Sequence, residues 1–302
     1  MKRFFVSLFL MAAVVVGQAQ VKVAPQMEVG QKMVYENVTN MTIQDQEMSM
    51  SSKMAYEVTE KTADGYVVDM KISDMKLTGG DTSVGDMMNM MTRLVEGMNV
   101  RVATNQDGVP TKIANWEKVK AGLMVASNTL VDEIYAAHPE VAAVMPKDNI
   151  AKELENRLTE EELLKGVVLS PTSVFVMNGK TVSNLQKESC KNAQDIKMSR
   201  TYLIADEGKT ITAISKTDMM EADLKTMIIE QVEKTMPDQA AAVKENIDAV
   251  LSSGMIKIDG SETSVYGLQD NGWLKSINYV SDTNIMMQKL KISSQVTLIE
   301  NN

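Results

Sequence analysis

The side chains best represented in this sequence that could do chemistry are thioethers. The chain holds 26 Met against 19 Leu and 13 aromatic residues, although Leu is ordinarily among the commonest residues. Eleven of the Met lie between Met41 and Met98. Three roles fit such a set. The first is an ordinary core in which thioethers replace Leu and Phe. The second is an adaptable apolar groove, since Met side chains repack around varied shapes. The third is a copper(I) site, because that soft ion prefers sulfur. Met87, Met88, Met90 and Met91, with the pair Met48 and Met50, have spacing that suits a metal. However, one His and one Cys offer little to complete a mixed ligand set.

Other chemistry has weaker support. No Gly-x-Ser-x-Gly elbow is present, and Ser83 before Gly85 lacks the first glycine. His138 is the one imidazole, and it stands before Pro139 at an expected helix end. No His-Glu-x-x-His, paired-Cys, phosphate-loop or dinucleotide pattern occurs. The turns at Asp107-Gly108 and Asn271-Gly272 lack the alternating oxygen ligands of a calcium loop. Carboxylates are plentiful, but spacing singles out no acid–base pair. Trp116 and Trp273 could stack on a sugar, yet their places at a helix start and after a hairpin turn favour packing. Cys190 lies in a polar stretch and has no second cysteine to pair with. The expectation is a non-enzyme with no cofactor.

The elements that would carry the thioethers follow from periodicity. Met48, Met50, Met54, Tyr56 and Val58 share one parity, with polar residues on the other, which places them on one face of a strand. Tyr66, Val68, Met70 and Ile72 continue a partner strand. The parity then shifts to Met75 and Leu77, which predicts a bulge near Ser73 and Asp74. Val84, Met87, Met88, Met91, Leu94, Val95 and Met98 make an apolar helical stripe after Gly79-Gly80, expected to pack on that Met face. A second hairpin turns at residues 105–108. A helix follows from Trp116, with Val119, Leu123, Ala126, Leu130 and Ile134 on its apolar face. Thr159 and Glu162 fit a capping box. Residues 188–195 read as a polar loop. Two more helices carry Leu224, Met227, Ile228 and Val232, then Val243, Ile247, Val250 and Leu251.

Part of this pattern recurs. Residues 56–75, a strand, a turn and a strand, resemble residues 202–219. Residues 102–113, with the turn at Gly108, resemble residues 266–277, with the turn at Gly272. Two matches in the same order suggest an internal duplication. The expected organisation is a signal peptide (1–20), a first repeat (21–139), a helical connector (140–170) and a second repeat (171–302). The fold class is α+β: two pseudo-repeats of antiparallel strands, with helices inserted between hairpins. The repeats would share one core, as one curved sheet or two facing half-barrels.

Lys2 and Arg3, the apolar residues 4–16 and the small and polar residues 17–20 read as a secretory signal, too short to span a bilayer. Cleavage after Ala19 or Gln20 would leave 29 basic and 40 acidic residues, a net charge of −11. An acidic chain without basic clusters argues against nucleic acid as a partner. No later stretch is apolar enough for a transmembrane segment.

The Tyr56 and Tyr202 strands, the Gly108 and Gly272 turns and the leader together resemble a class of secreted proteins of unknown function from Gram-negative gut bacteria. That resemblance covers residues 27–299 and implies no catalytic residues. In architecture and apolar faces the chain is also faintly similar to periplasmic lipoprotein carriers. These resemblances imply an exported protein, in the periplasm or at the cell surface of a Gram-negative bacterium. The leading expectation is that it binds an apolar ligand, a lipid or acyl chain, between sheet and helices. The residues expected to touch the ligand are Met48, Met50, Met54, Met70, Met87, Met88 and Met91. The alternatives are an interaction module with a packed Met core that meets another envelope protein, and copper(I) binding.

Overall fold

The computed structural model describes residues 20–43, 46–80, 92–93, 95–137, 158–192, 196–235, 240–252, 258–285 and 288–301. The leader, Met87, Met88, Met91 and His138 lie outside the described residues. The first part of the chain forms β1 (Gln20–Lys22), β2 (Lys32–Ile43), β3 (Gln46–Lys61), β4 (Gly65–Gly79), β5 (Asn99–Asn105), β6 (Pro110–Ile113), α1 (Trp116–Ala137) and the short α2 (Glu160–Leu163). Next come β7 (Thr181–Ser183), β8 (Lys187–Lys191), β9 (Lys197–Ala205), β10 (Thr210–Thr217), α3 (Glu221–Thr235) and α4 (Ala240–Ser252). The described chain closes with β11 (Ile258–Leu268), β12 (Leu274–Ile285) and β13 (Gln288–Asn301). No described helix is long and apolar enough to cross a membrane.

The fold is α+β and mostly antiparallel sheet. Eleven strands form one sheet in the order β6-β5-β4-β3-β2-β13-β12-β11-β10-β9-β8, and β1 pairs with β7 apart from it. Strands β2–β6 and β8–β13 each run back and forth in chain order, and the β2–β13 ladder joins them. Of the two arrangements anticipated, one continuous sheet is formed.

Alternation is visible along each strand. In β2, Met33, Tyr35, Asn37 and Thr39 are buried, whereas Lys32, Glu36 and Asn40 are exposed. The expected bulge is present: Ser51 pairs with Lys76, but Lys53 already pairs with Ser73. Asp74 takes up the extra residue with φ +54°, a left-handed conformation that Asp tolerates better than most residues. The loop expected at residues 188–195 is replaced in part by the edge strand β8. Glu188 and Cys190 turn partly inward there, while Lys187, Ser189 and Lys191 stay exposed. Charged outward residues on a short edge discourage pairing with another chain.

The sheet is strongly curled, as its contacts with the N-terminal segment require. Trp273 donates from Nε1 to the Gln26 carbonyl, and the Gln26 N–H donates to the Asn271 carbonyl. A Cβ on Gly272 would lie 2.8 Å from the Ala24 oxygen. One on Gly108 would lie 2.9 Å from Pro25 and 2.8 Å from Met27. Strands β5 and β12 are five places apart in the sheet, about 24 Å if it were flat. Both turns nevertheless touch residues 24–27. Positive φ at Gly108 (+76°) and Gly272 (+82°) makes glycine the fitting residue at both contacts.

A second segment, a run of turns over residues 170–179, fills the hollow at this end. Val174, Phe175 and Met177 are all 1% exposed or less. Phe175 meets the Tyr56 ring edge-on at 5.6 Å, and Tyr56 meets Tyr35 the same way at 5.7 Å. Tyr35 Oη donates to the Leu274 carbonyl at 2.7 Å, reaching across β13 to β12. Asn178 Nδ2 donates to the Gly108 carbonyl at 2.9 Å. The main core therefore draws on β2–β6, β9–β13 and both plug segments. A separate cluster at the opposite end joins Leu224, Ile228, Ile247 and Leu251 of α3 and α4 to Ile196, Met198 and Ile258.

Phe175→Ala removes the ring that joins the plug to Tyr56. It is expected to cost about 3–5 kcal/mol, seen as a lower denaturation midpoint in urea with an unchanged slope. An unchanged midpoint would mean that the plug is not part of the cooperative core.

Candidate ligand site on the concave face

Directly paired residues in an antiparallel sheet point to the same side, so the register shows what each level of the hollow contains. The level nearest the plug carries Ile211, Tyr266, Ile277 and Val296, paired in succession. The next carries Tyr202, Ala213, Ser264, Tyr279, Ser294, Thr39 and Met50. The one after that begins Glu188, Arg200, Ser215, Glu262 and Ser281. It continues on the same face through Ile292 and Met41 to Met48.

These two levels change character from one side of the sheet to the other. Over β8–β12 they are mostly polar, with Glu188 and Arg200 partly exposed and the rest buried. Ser215 is 1% exposed, Ser281 5% and Glu262 6%. Arg200 donates from Nε to Ser215 Oγ at 2.9 Å and from Nη1 to Glu188 Oε1 at 3.4 Å. Tyr202 donates to the same Glu188 oxygen at 2.7 Å. Midway, Thr39 and Ser294 share a hydrogen bond of 2.8 Å. Over β13, β2, β3 and β4 the levels end in Ile292, Met41, Met48, Met50 and Leu77. None of these five belongs to either packed cluster of described residues.

The environment shifts the ionisable groups in consistent directions. Burial raises the Glu262 carboxyl above its usual range, while hydrogen bonds from Tyr279 and Asn192 and the Arg200 charge act the other way. Burial lowers the Lys180 ammonium, with Arg200 adding to the effect. The Cys190 thiol is raised, chiefly by burial, which favours the thiol over a nucleophilic thiolate. Burial likewise raises the Tyr202 and Tyr279 phenols.

The expected Met residues that are described all lie on the concave face, but in two settings. Met70 is buried in the main core and Met54 packs against it, its sulfur accepting from Tyr56 Oη at 3.7 Å. Met48 and Met50 lie further from the plug. Met41 and Met48 border a rim depression of about 370 Å³, but Asn40, Thr42, Glu47, Ser49 and Thr78, which line most of it, have the opposite parity, so it opens chiefly on the outer face; Met48 itself is buried. Met87, Met88 and Met91 lie outside the described residues. Trp273, weighed as a sugar platform, is 1% exposed and committed to the plug. Trp116 is partly buried, beside a second depression with Lys112 and Glu160.

Sequence reasoning missed the polar half of these levels. Its signal is a parity that continues after the apolar residues end. Tyr202 is followed inward by Arg200, Tyr266 by Ser264 and Glu262, and Tyr279 by Ser281 and Thr283.

No protein-family model matches the sequence, and no curated protein matches it. Among solved structures, one of lipid–protein interactions in lipovitellin is similar, with 9% sequence identity and a TM-score of 0.43. The match covers 92% of this chain and 26% of that one, so the chain spans about a quarter of that protein. A likeness of this size carries no functional argument.

The raised Glu262 carboxyl gives a signed expectation. A folded-state value above the unfolded one contributes stability at low pH and loses it as pH rises through the folded value. Glu262→Gln should therefore stabilise the protein relative to the parent at pH 8, by a margin that shrinks towards pH 4. Urea denaturation across that range measures it, and a margin that grows on acidification would contradict the assignment.

Proposed function

We propose that this protein is a non-catalytic, exported component of a Gram-negative envelope that holds an apolar ligand, a lipid or acyl chain, in the hollow of its sheet. The observation that carries this reading is the apolar patch of Ile292, Met41, Met48, Met50 and Leu77. It continues the concave face and lies outside both packed clusters of described residues. Unbranched thioether side chains suit a surface that must adapt to a flexible chain. The basic, apolar and small residues that open the sequence support export. The two back-and-forth runs of strands, each with helical sequence after its hairpin, support descent from a duplicated unit.

A packed patch with no ligand would instead suit a surface interaction module, and experiment separates the two. Native mass spectrometry of the mature protein, purified gently from an envelope fraction, should show a mass excess that organic extraction removes. Met50→Asp places a charge on the patch and should lower the bound fraction about tenfold or more. An apo mass that stays unchanged after incubation with envelope lipids would overturn the proposal.

A further inference from the structure

The apolar patch is one end of a level whose other end is charged, and the two are continuous. From Arg200 on β9 the paired positions run through Ser215, Glu262 and Ser281 to Ile292 and Met41. A ligand lying along this level would meet a cation first, then the Ser215 hydroxyl, the Glu262 carboxyl and the Ser281 hydroxyl, then hydrocarbon and thioether. Resting on the apolar-ligand reading above, we infer that the bound molecule is an amphiphile with a carboxylate head, a long-chain carboxylic acid, and that Arg200 receives the head.

Three observations support this. The first is donor capacity. A guanidinium has five N–H groups in a planar fork suited to a carboxylate. Ser215, Glu188 over a stretched 3.4 Å and the Tyr202 hydroxyl take up three of them. The Arg200 side chain is 21% exposed, so it is held in place without being sealed off. The second is charge balance. Arg200 and Lys180 are within electrostatic reach of each other and of Glu188, and Arg200 also acts on Glu262. Burial opposes ionisation of Glu262. A carboxylate head beside Arg200 would add a favourable partner to the two cations, Arg200 and Lys180. The third is the chemistry of the lining. Between Arg200 and the apolar end, the inward positions of this level are Ser215, Glu262 and Ser281, all polar. Bulky apolar residues resume only at Ile292 and Met41, where the hydrocarbon would lie.

The test compares palmitate with methyl palmitate on the mature protein at pH 8 by displacement of a bound fluorescent apolar probe. Palmitate should bind at least tenfold more tightly. Arg200→Gln should bring palmitate binding down to that of methyl palmitate in the same variant, and Arg200→Lys should retain part of the preference. Equal binding of acid and ester to the parent protein would overturn the head-group inference and leave the apolar-ligand reading standing. Failure of both to displace the probe would overturn that reading as well. The acid–ester comparison on the parent protein needs no variant, so a poorly folding Arg200→Gln would not protect the inference. A preference that survives in a folded Arg200→Gln would remove Arg200 from the site.

Discussion

The structure depends on one tether. The stretch around Ala24, Pro25, Gln26 and Met27 is held at once by the turn at Gly108 and the turn at Gly272. Those turns belong to strands five places apart in the sheet. An open antiparallel sheet of eleven strands would leave the apolar side of β2–β6 and β9–β13 in water, and sheets this wide curl, split or are covered. Bringing the two turns to one short segment curls this sheet. The plug of Val174, Phe175 and Met177 then fills the space at that end, with Tyr35 and Tyr56 as the aromatic floor beneath it. The tether itself is mostly backbone hydrogen bonding and close packing against glycine. The ion pair of Lys22 with Asp107 is exposed on both sides and adds little.

The tether acts at one end only, and this shapes the rest of the molecule. Near the plug the inward residues are large and form a single core. Towards the other end, α3 and α4 form their own cluster on β9–β11. The intervening levels are lined by Ser, Tyr, Arg and Glu on one side and by Met and Ile on the other. The two ends of the sheet are protected differently. On β6, the Glu160 carboxylate accepts from the Ile113 N–H at 2.6 Å and so occupies a free edge donor. On β8, outward Lys187 and Lys191 discourage a partner strand.

Much of the sheet was legible from alternation. Met48, Met50, Met54, Tyr56 and Val58 do share a face, and the parity shift after Ile72 does mark the bulge at Asp74. The glycine turns were legible as turns but not as the two grips of a tether. That depends on contacts more than eighty residues apart, which no local pattern encodes. Residues 188–195 read as a loop because polarity outweighed period, yet Glu188 and Cys190 alternate with Lys187, Ser189 and Lys191 as an edge strand does. The same bias hid the polar half of the concave face. Inward hydroxyls look like outward ones until the register shows which apolar residues they follow.

Glu262 shows why that polar half bears on function. A buried carboxylate costs free energy whether it stays neutral or is paired, and apolar residues of similar volume in its place are often neutral or stabilising. Its level could have continued the apolar pattern of Ile211, Tyr266, Ile277 and Val296, one level below the Ser and Tyr residues. Instead, Arg200, Ser215, Glu262 and Ser281 stand opposite one another on four successive strands. Alternation must be satisfied on each strand separately, so this agreement across strands sets a single feature of the hollow. Local rules of core packing are broken mainly where a site requires it. The break lies on the face that carries Met41 and Met48, four and five strands along from Ser215. The curl imposed by the tether is what turns that face into a hollow with a polar and an apolar side.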